Sequence, residues 1–348
     1  MAREYLYKLL FPRIYYPYYS LCFGWAYVKI LCRVIYYCFT GKALLPTAAL
    51  VDPANMCDLR CPLCPTGAKK LDDKQSVMSL ATFNNILQKM PSVKQISLCN
   101  WGEPFLNPNI CEIIHLAKAR NIRVTIDTSL CIEKDREFFK GFIKSGLDYL
   151  VISIDGACQQ TYAKYRIGGN FDLVVSNIKT LVSLKKEIGT KNPVITWKLL
   201  VNKYNEGEIE KAKEAAYKLG VRFKTATLHL ADYSPDLTLD ESVERRMALW
   251  LPKNKRYLKK YYRNGHNKPF YKHICPALFT ELTINPEGKV YPCCHVVSKK
   301  NIFGDLACES LEKIWNNKFY KASRDLFVPG NTSGIETICA KCTMFKQR

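Results

Sequence analysis

Three cysteines stand within eight positions in the stretch NMCDLRCPLCPTG, which covers residues 55–67. Cys57, Cys61 and Cys64 have the spacing C-x3-C-x2-C. Thiolates bind soft metals and iron–sulfur clusters. A structural zinc site usually has one ligand more than this group, and a redox pair needs one fewer. A four-iron cube held by three cysteines keeps one iron open for a substrate or cofactor, so the spacing indicates a reactive cluster.

A second group of cysteines lies near the end of the sequence and consists of Cys275, Cys293, Cys339 and Cys342. A hairpin turn at Gly288 would bring Cys293 back toward Cys275, and the CAKC segment would supply the other two ligands. Cys294 is interpreted as a neighbour of the ligands. Four thiolates suffice for one structural zinc ion or for one iron–sulfur cluster, and the residues alone leave both alternatives open.

The elements that must position the first group are alternating strands and helices between Leu44 and about residue 228. The predicted strands are TAALVDP, KQISLCN, IRVTIDT, LDYLVISID, PVITWKLLV and VRFKTATL. Helix-like segments separate them, and Ser79 is a plausible N-cap for the first. This alternation predicts α/β architecture with a parallel sheet.

Polar residues follow several of these strands where the strands end. They are Cys57, Trp101 to Glu103, Thr128 and Ser129, Ser153 to Asp155, and Asn202. In parallel α/β folds the active site lies at the carboxyl ends of the strands. We therefore expect these residues to form one site with the three cysteines.

With these motifs in place, the chain resembles the radical S-adenosylmethionine (SAM) superfamily. The segment NWGEPFLNP stands where that family has its SAM-amine motif, which implies that Glu103 accepts from the SAM amino group. SIDG matches the ribose-contacting strand end and points to Ser153 and Asp155. YAKYRIGG supplies Arg166 for the SAM carboxylate, which suits the planar fork of a guanidinium. LLVNKYN places Asn202 near the adenine.

The resemblance implies a partial (β/α)6 TIM-like barrel over about residues 44–230, with SAM and one [4Fe–4S] cluster as cofactors. In that family the cluster passes one electron to SAM, and the resulting 5′-deoxyadenosyl radical takes a hydrogen atom from the substrate. The electron implies a one-electron reductant such as flavodoxin or ferredoxin. One departure is Leu63, which stands where many members have an aromatic residue before the third cysteine.

The second cysteine group resembles the start of a SPASM domain or the shorter twitch version. This implies a small C-terminal domain at 273–348 that binds one auxiliary [4Fe–4S] cluster through Cys275, Cys293, Cys339 and Cys342. We predict none of the five histidines to be catalytic.

Residues 1–43 are rich in tyrosine and other aromatic residues and contain six basic residues and one acid. The uncharged run Ile14–Val28 has only fifteen residues, which is short of the ~20 that a spanning helix needs. Aromatic and basic residues favour the surface of an anionic membrane. The alternatives are an interfacial anchor, a helical extension packed on the catalytic domain, and a dimer contact.

The formal net charge is +21, which favours acidic partners in general. The segment 231–272 is interpreted as a basic linker, and the eight basic residues at 252–272 carry no nucleic-acid signature, so binding to nucleic acid is not expected. The clustered cysteines and the lack of a clear secretory signal favour the cytoplasm, with peripheral attachment to the inner face of the membrane as an extension of that interpretation.

Three functions stay open. The first is a radical SAM enzyme acting at a membrane surface on a lipid-linked, glycan or other anionic substrate. The second is a maturase that modifies a peptide or protein side chain. The third is a binding protein stapled by zinc, without catalysis.

Overall fold

The computed structural model describes residues 21–68, 74–228, 245, 248–258, 274–296, 298–328 and 334–342, and for residues 21–27 the backbone only. The strands are β1 (Ala48–Val51), β2 (Gln95–Ser97), β3 (Arg123–Thr128), β4 (Tyr149–Ser153), β5 (Val194–Val201), β6 (Arg222–Thr227), β7 (Glu281–Ile284), β8 (Lys289–Tyr291) and β9 (Gly304–Asp305). The helices named below are α1 (Leu21–Thr40), α2 (Leu80–Gln88), α3 (Ile110–Lys118), α4 (Arg136–Lys144), α5 (Gln159–Tyr165), α6 (Phe171–Ile188), α7 (Ile209–Lys218), α8 (Ala277–Thr280), α9 (Leu311–Trp315) and α10 (Lys318–Asp325).

The described strands form one sheet in the order β6-β5-β4-β3-β2-β1-β7-β8-β9. Strands β1 to β6 are all parallel to their neighbours, with a helix after each of the first five. The parallel α/β prediction is therefore confirmed, and the arrangement is that of a partial barrel. Because all six strands point the same way, their carboxyl ends meet at one edge.

The helices begin and end where their capping residues require. Ser79, Asp135 and Asn170 each accept a hydrogen bond from a backbone N–H in the first turn of α2, α4 and α6. Gly189 ends α6 in the left-handed conformation at φ 74°. These local signals fix helix boundaries, and the apolar faces then pack on the sheet.

The outer face of the sheet and the helices share one core. Val124, Ile126 and Trp197 are fully buried, and the Trp197 ring meets that of Phe171 on α6 in an edge contact. Trp197 also donates through its indole N–H to the Ile154 carbonyl at 2.9 Å. Residues that alternate with these along β3 and β5 point to the inner face, which is partly exposed.

The C-terminal segment continues the barrel sheet. Strand β7 pairs with β1 in parallel, and β8 and β9 follow antiparallel. The predicted hairpin is present, with Gly288 at φ 84° and its N–H donating to the Asn285 carbonyl at 3.0 Å. Strand β7 thus lies beside the strand that leads into the first cysteine group.

The described part of helix α1 packs against the C-terminal segment. Leu31, Val34 and Tyr37 are buried, and the Tyr37 hydroxyl donates to Asp325 Oδ1 at 2.8 Å. Arg33 Nε donates to the Phe279 carbonyl at 2.7 Å. Of the alternatives for residues 1–43, a packed helical extension fits this part, although these contacts are with the C-terminal segment and the prediction named the catalytic domain. Residues 1–20 lie outside the described residues.

None of the described helices is long and apolar enough to cross a membrane. Most of the predicted linker at 231–272 lies outside the described residues. Within the described part of that region, Trp250 makes edge contacts with the rings of Tyr165 and Tyr204.

Candidate active site

The first cysteine group lies on a loop that begins just after β1, as predicted. The loop folds on itself, because the Cys64 N–H donates to the Cys61 carbonyl at 3.2 Å and the Ala68 N–H donates to the Cys64 carbonyl at 2.8 Å. A Cβ at Gly67 would lie 2.5 Å from the Cys61 nitrogen, so only glycine fits there. The sequence thus builds a tight turn with three thiols on it.

Burial raises the pKa of Cys57 to about 12 and that of Cys61 to about 11. For Cys61 the nearby Arg166 guanidinium opposes the increase. Without a bound cation these two thiols are neutral. A metal centre reverses this preference, because iron withdraws charge from its thiolate ligands and a coordinating thiol is deprotonated.

Arg166 follows α5 and links the cysteine loop to the end of β4. Its Nε donates to Asp155 Oδ2 at 2.6 Å, and its Nη1 lies 3.7 Å from Cys61 Sγ. Asp155 is fully buried, and its other oxygen accepts from the Leu200 N–H at 2.7 Å. The structure therefore brings together Arg166, Asp155 and one predicted cluster ligand, with Asp155 engaged by the protein.

Glu103 is buried and receives four hydrogen bonds. The donors are the Thr128 hydroxyl at 2.6 Å, the Ser129 N–H at 2.8 Å, the Ser129 hydroxyl at 2.7 Å and the Phe105 N–H at 3.2 Å. Burial raises the pKa of Glu103, and the bonds from Thr128 and Ser129 oppose that increase. Because a carboxylate has about four acceptor sites, a SAM amino group would have to replace one of these donors.

Sequence reasoning did not single out Asp52, which holds the loop in front of Glu103. Its carboxylate accepts from the N–H groups of Asn100, Trp101 and Gly102 at 2.9 to 3.4 Å. A Cβ at Gly102 would lie 1.7 Å from the Ala54 carbonyl oxygen. The only signal for Asp52 was its place between β1 and the first cysteine.

Ser153 is the last residue of β4 and Asn202 directly follows β5, as predicted, and both are buried. Asn202 is tied into its own turn, since its Oδ1 accepts from the Tyr204 N–H at 2.9 Å. Asn205, which the sequence did not single out, donates through Nδ2 to the carbonyls of Asp155 at 3.0 Å and Leu200 at 2.9 Å. Asn205 thus joins the ends of β4 and β5.

The four cysteines of the second group are brought together. Burial raises the pKa of Cys275 and of Cys339 to about 12, and that of Cys293 well above its usual value. The charges of neighbouring cysteines in the group act in the same direction, and Cys293, Cys339 and Cys342 pack against one small buried cluster. Residues from three separate segments therefore lie near one another.

The two cysteine groups lie at opposite ends of the strands. Cys57 follows β1 at the carboxyl edge, whereas Cys275 precedes β7, which runs parallel to β1. Cys293 follows β8, which runs back toward the edge where β7 begins. Four residues of strand span about 13 Å, so the two groups are separated along the strand direction by about that length.

The donor sets fit iron–sulfur clusters. Among the described residues no three His, Cys, Asp or Glu side chains are placed to ligate a single metal ion. A four-iron cube binds each thiolate at a separate iron, so its ligands need not converge on one point. All proposed ligands are thiols, the donor type that iron–sulfur clusters require.

The fold and the two thiol groups define an iron–sulfur enzyme built on a partial α/β barrel. Residues 51–216 match the model of the Radical SAM superfamily, and residues 275–343 match SPASM, described as an iron–sulfur cluster-binding domain. The chain therefore belongs to the radical SAM superfamily and carries a SPASM domain. Its cofactors are SAM, a [4Fe–4S] cluster and auxiliary iron–sulfur clusters. The alternative of a zinc-binding protein without catalysis is therefore set aside.

Two curated relatives match most of the chain. One is the tungsten-containing aldehyde ferredoxin oxidoreductase cofactor-modifying protein of Pyrococcus furiosus, 24% identical over 84% of this chain and 86% of the relative. The other is PqqA peptide cyclase of Gluconobacter oxydans, 21% identical over 78% of this chain and 76% of the relative.

Among solved structures, SuiB of Streptococcus suis bound to precursor peptide SuiA superimposes with a TM-score of 0.62 at 13% identity. The match covers 92% of this chain and 74% of SuiB. At this identity the likeness concerns the fold alone, and it confirms the predicted partial barrel with its C-terminal extension.

Proposed function

We propose that this enzyme is a maturase that modifies a side chain of a precursor peptide. The observation that carries the proposal is the combination of a SPASM domain with a relative named as a peptide cyclase, which this chain matches over 78% of its length. The first sequence-based hypothesis, a lipid-linked or glycan substrate at a membrane, receives no such support. The peptide alternative therefore replaces it as the leading interpretation.

The catalytic iron–sulfur cluster is proposed to sit on Cys57, Cys61 and Cys64. When bound, this cluster and SAM supply the one-electron chemistry that removes a hydrogen atom from the substrate. The protein's part is to hold the loop rigid, with Gly67 packed on the Cys61 backbone. A one-electron reductant such as flavodoxin or ferredoxin is proposed as the electron donor.

The SAM-facing residues are proposed to be Glu103, Ser153, Asp155, Arg166 and Asn202. Arg166 is already oriented by Asp155 at 2.6 Å and lies beside Cys61, so its free donors are positioned next to the cysteine loop. Asp155 and Asn202 are held by backbone groups, which suits residues that shape the pocket. These five roles rest on the motif resemblance and the placement together.

The second group is proposed to hold one auxiliary cluster through Cys275, Cys293, Cys339 and Cys342. Four protein thiolates leave no open iron, so this cluster would stabilise the C-terminal domain or carry electrons. This cluster would lie where β7 begins, at the opposite end of the strands from the first cysteine group.

The test is coexpression of the enzyme with each short peptide encoded beside its gene, followed by mass analysis of the peptide. We expect a mass change that requires Cys57 and is lost in C57A. The matched control is C308A, because Cys308 is exposed and belongs to neither group. If the wild-type enzyme cleaves SAM but changes none of these peptides, the proposal fails.

A second candidate is modification of a small cofactor, which the relative from Pyrococcus furiosus favours by its name. The same experiment separates the two. A modified small molecule with unmodified peptides would support the second candidate.

The interfacial-anchor hypothesis for residues 1–43 stays a prediction. Val28, Tyr36 and Phe39 are exposed on the described outer face of α1. Flotation of the protein with anionic liposomes, compared with a V28S/Y36S/F39S variant, tests it. Equal flotation of the two proteins would reject an anchor on this face.

A further inference from the structure

Charged side chains lie on the inner face of the barrel sheet, away from the helices. Lys198 stands between Trp197 and Leu199 on β5, which are fully buried on the helix side. Successive side chains in a strand point to opposite faces, so Lys198 points to the inner face. Asp127 is placed in the same way between Ile126 and Thr128 on β3.

Asp127 and Lys198 form an ion pair across this inner face. Lys198 Nζ lies 2.8 Å from Asp127 Oδ1, and the two side chains reach over strand β4, which separates β3 from β5. The side chains keep 34% and 25% of their exposure, so the pair is accessible from the inner space. Neither Asp127 nor Lys198 is among the site residues that the motifs predicted.

Two further cations share this face on the neighbouring strand β6. Lys224 is the register partner of Lys198, and Arg222 is the register partner of Thr196. Paired residues of parallel strands point to the same side, so both cations face inward beside Lys198. Both are exposed, and within the described residues neither forms a salt bridge. Among the described residues of β3 to β6 that point to the inner face, Asp127 is the one acid, and it lies beside three cations.

The patch lies beside the proposed SAM site, because Lys198 is the register partner of Ser153 at the end of β4. The first cysteine group lies at the carboxyl edge of the sheet and the second at the edge where β7 begins, and Lys198 lies in the strand between those edges. A substrate that receives chemistry at the first cluster must lie near that site and therefore near the patch. The face therefore presents surplus positive charge to whatever occupies the barrel.

We infer that the patch formed by Asp127, Lys198, Arg222 and Lys224 recognises an acidic side chain of the peptide substrate. The inference rests on the proposed maturase function and specifies the kind of peptide. A glutamate or aspartate carboxylate binds between Lys198 and Lys224, and Asp127 competes with it for Lys198. Charge complementarity of this kind selects the partner and fixes its position.

The experiment is calorimetric titration of the anaerobic holoenzyme with capped oligoglutamate, capped oligolysine and inorganic phosphate. We expect oligoglutamate to bind and oligolysine not to bind. K198Q/K224Q should weaken oligoglutamate binding by roughly tenfold, the usual scale for losing a close charge pair. The matched control K211Q/K218Q removes two exposed lysines from α7 on the other side of the sheet and should bind as the wild type.

D127N gives the sharpest readout. Because this change releases Lys198, the inference predicts tighter oligoglutamate binding, which damage to the fold would not produce. Unchanged or weaker binding in D127N overturns the inference, as does equal weakening by K211Q/K218Q. Phosphate binding as strong as that of oligoglutamate also overturns it, since it would indicate a general anion site. Formation of 5′-deoxyadenosine from SAM, measured in parallel, tests the radical chemistry independently of peptide charge.

Discussion

Arg166 Nε lies 2.6 Å from Asp155 Oδ2 at the carboxyl edge of the barrel, and the Asp155 side chain is fully buried. This contact joins the residue after α5 to the end of β4. The same guanidinium reaches Cys61 Sγ at 3.7 Å. One ion pair thus connects the sheet to the loop that is proposed to hold the catalytic cluster.

Replacing Arg166 should lower the free energy of unfolding. R166M leaves the Asp155 carboxylate buried without its cation, which costs about 3–5 kcal/mol of unfolding free energy. Chemical denaturation measures the loss. The double variant R166M/D155N should recover part of it, because the uncompensated charge is gone. If the double variant is as unstable as the sum of the two single changes, the pair is not the source of the stability.

The hydrogen bond from Thr128 to Glu103 predicts a second stability effect. T128V removes a donor that lies 2.6 Å from a buried carboxylate, and a bond of this kind contributes about 1.5–3 kcal/mol. The control is T225V, which makes the same change at an exposed position on β6. Thermal unfolding of both variants should show a large decrease for T128V only.

Helix α1 should depend on the hydroxyl of Tyr37. Y37F removes the 2.8 Å hydrogen bond to Asp325 and should lower the unfolding free energy by about 1 kcal/mol. The neighbouring Tyr36 is exposed, so Y36F is the matched control and should leave stability unchanged. Equal effects of the two changes would show that Tyr37 does not attach the helix.

Lys289 and Asp305 tie β8 to β9 through a 2.5 Å ion pair, and this pair should give a pH dependence. Although burial opposes the charged form, the bond from Lys289 lowers the pKa of Asp305 below its usual 3.8. A lowered carboxyl pKa adds stability above pH 3.8 that disappears as the pH falls through the folded-state value. D305N should therefore reduce stability at neutral pH, and its difference from wild type should vanish at strongly acidic pH.

The size of this effect should be modest, because both side chains are partly exposed. We expect about 1 kcal/mol or less, measured by denaturation across the acidic range. A D305N difference that stays constant down to strongly acidic pH would contradict the assignment.

The strands and most helices of the barrel could be predicted from the sequence, because the apolar character of the strands and the capping residues of the helices are local signals. The prediction missed α5, whose seven residues QQTYAKY lack a clear apolar period. It also missed the pairing of β7 with β1, since parallel pairing between strands distant in the chain leaves no local pattern. The continuity of the sheet into the C-terminal segment could be seen only in three dimensions.

Within the site, residue types and spacing predicted the two cysteine groups, whereas the roles of Glu103 and Arg166 were predicted from the resemblance to the radical SAM superfamily. Asp52 and Asn205 were missed, since each acts by binding backbone groups of a neighbouring loop. Cys32, Cys38 and Cys308, which belong to neither cysteine group, are exposed. Spacing along the chain does not reveal which way such a side chain points.

Anaerobic analysis of iron and sulfide in the purified protein tests the central claim most directly. Two four-iron clusters predict about eight iron atoms per chain, and about four in a C57A/C61A/C64A variant that retains the C-terminal cluster. The variant should also lose SAM cleavage. Bound zinc without iron, or a variant that keeps all its iron and still cleaves SAM, would contradict the account.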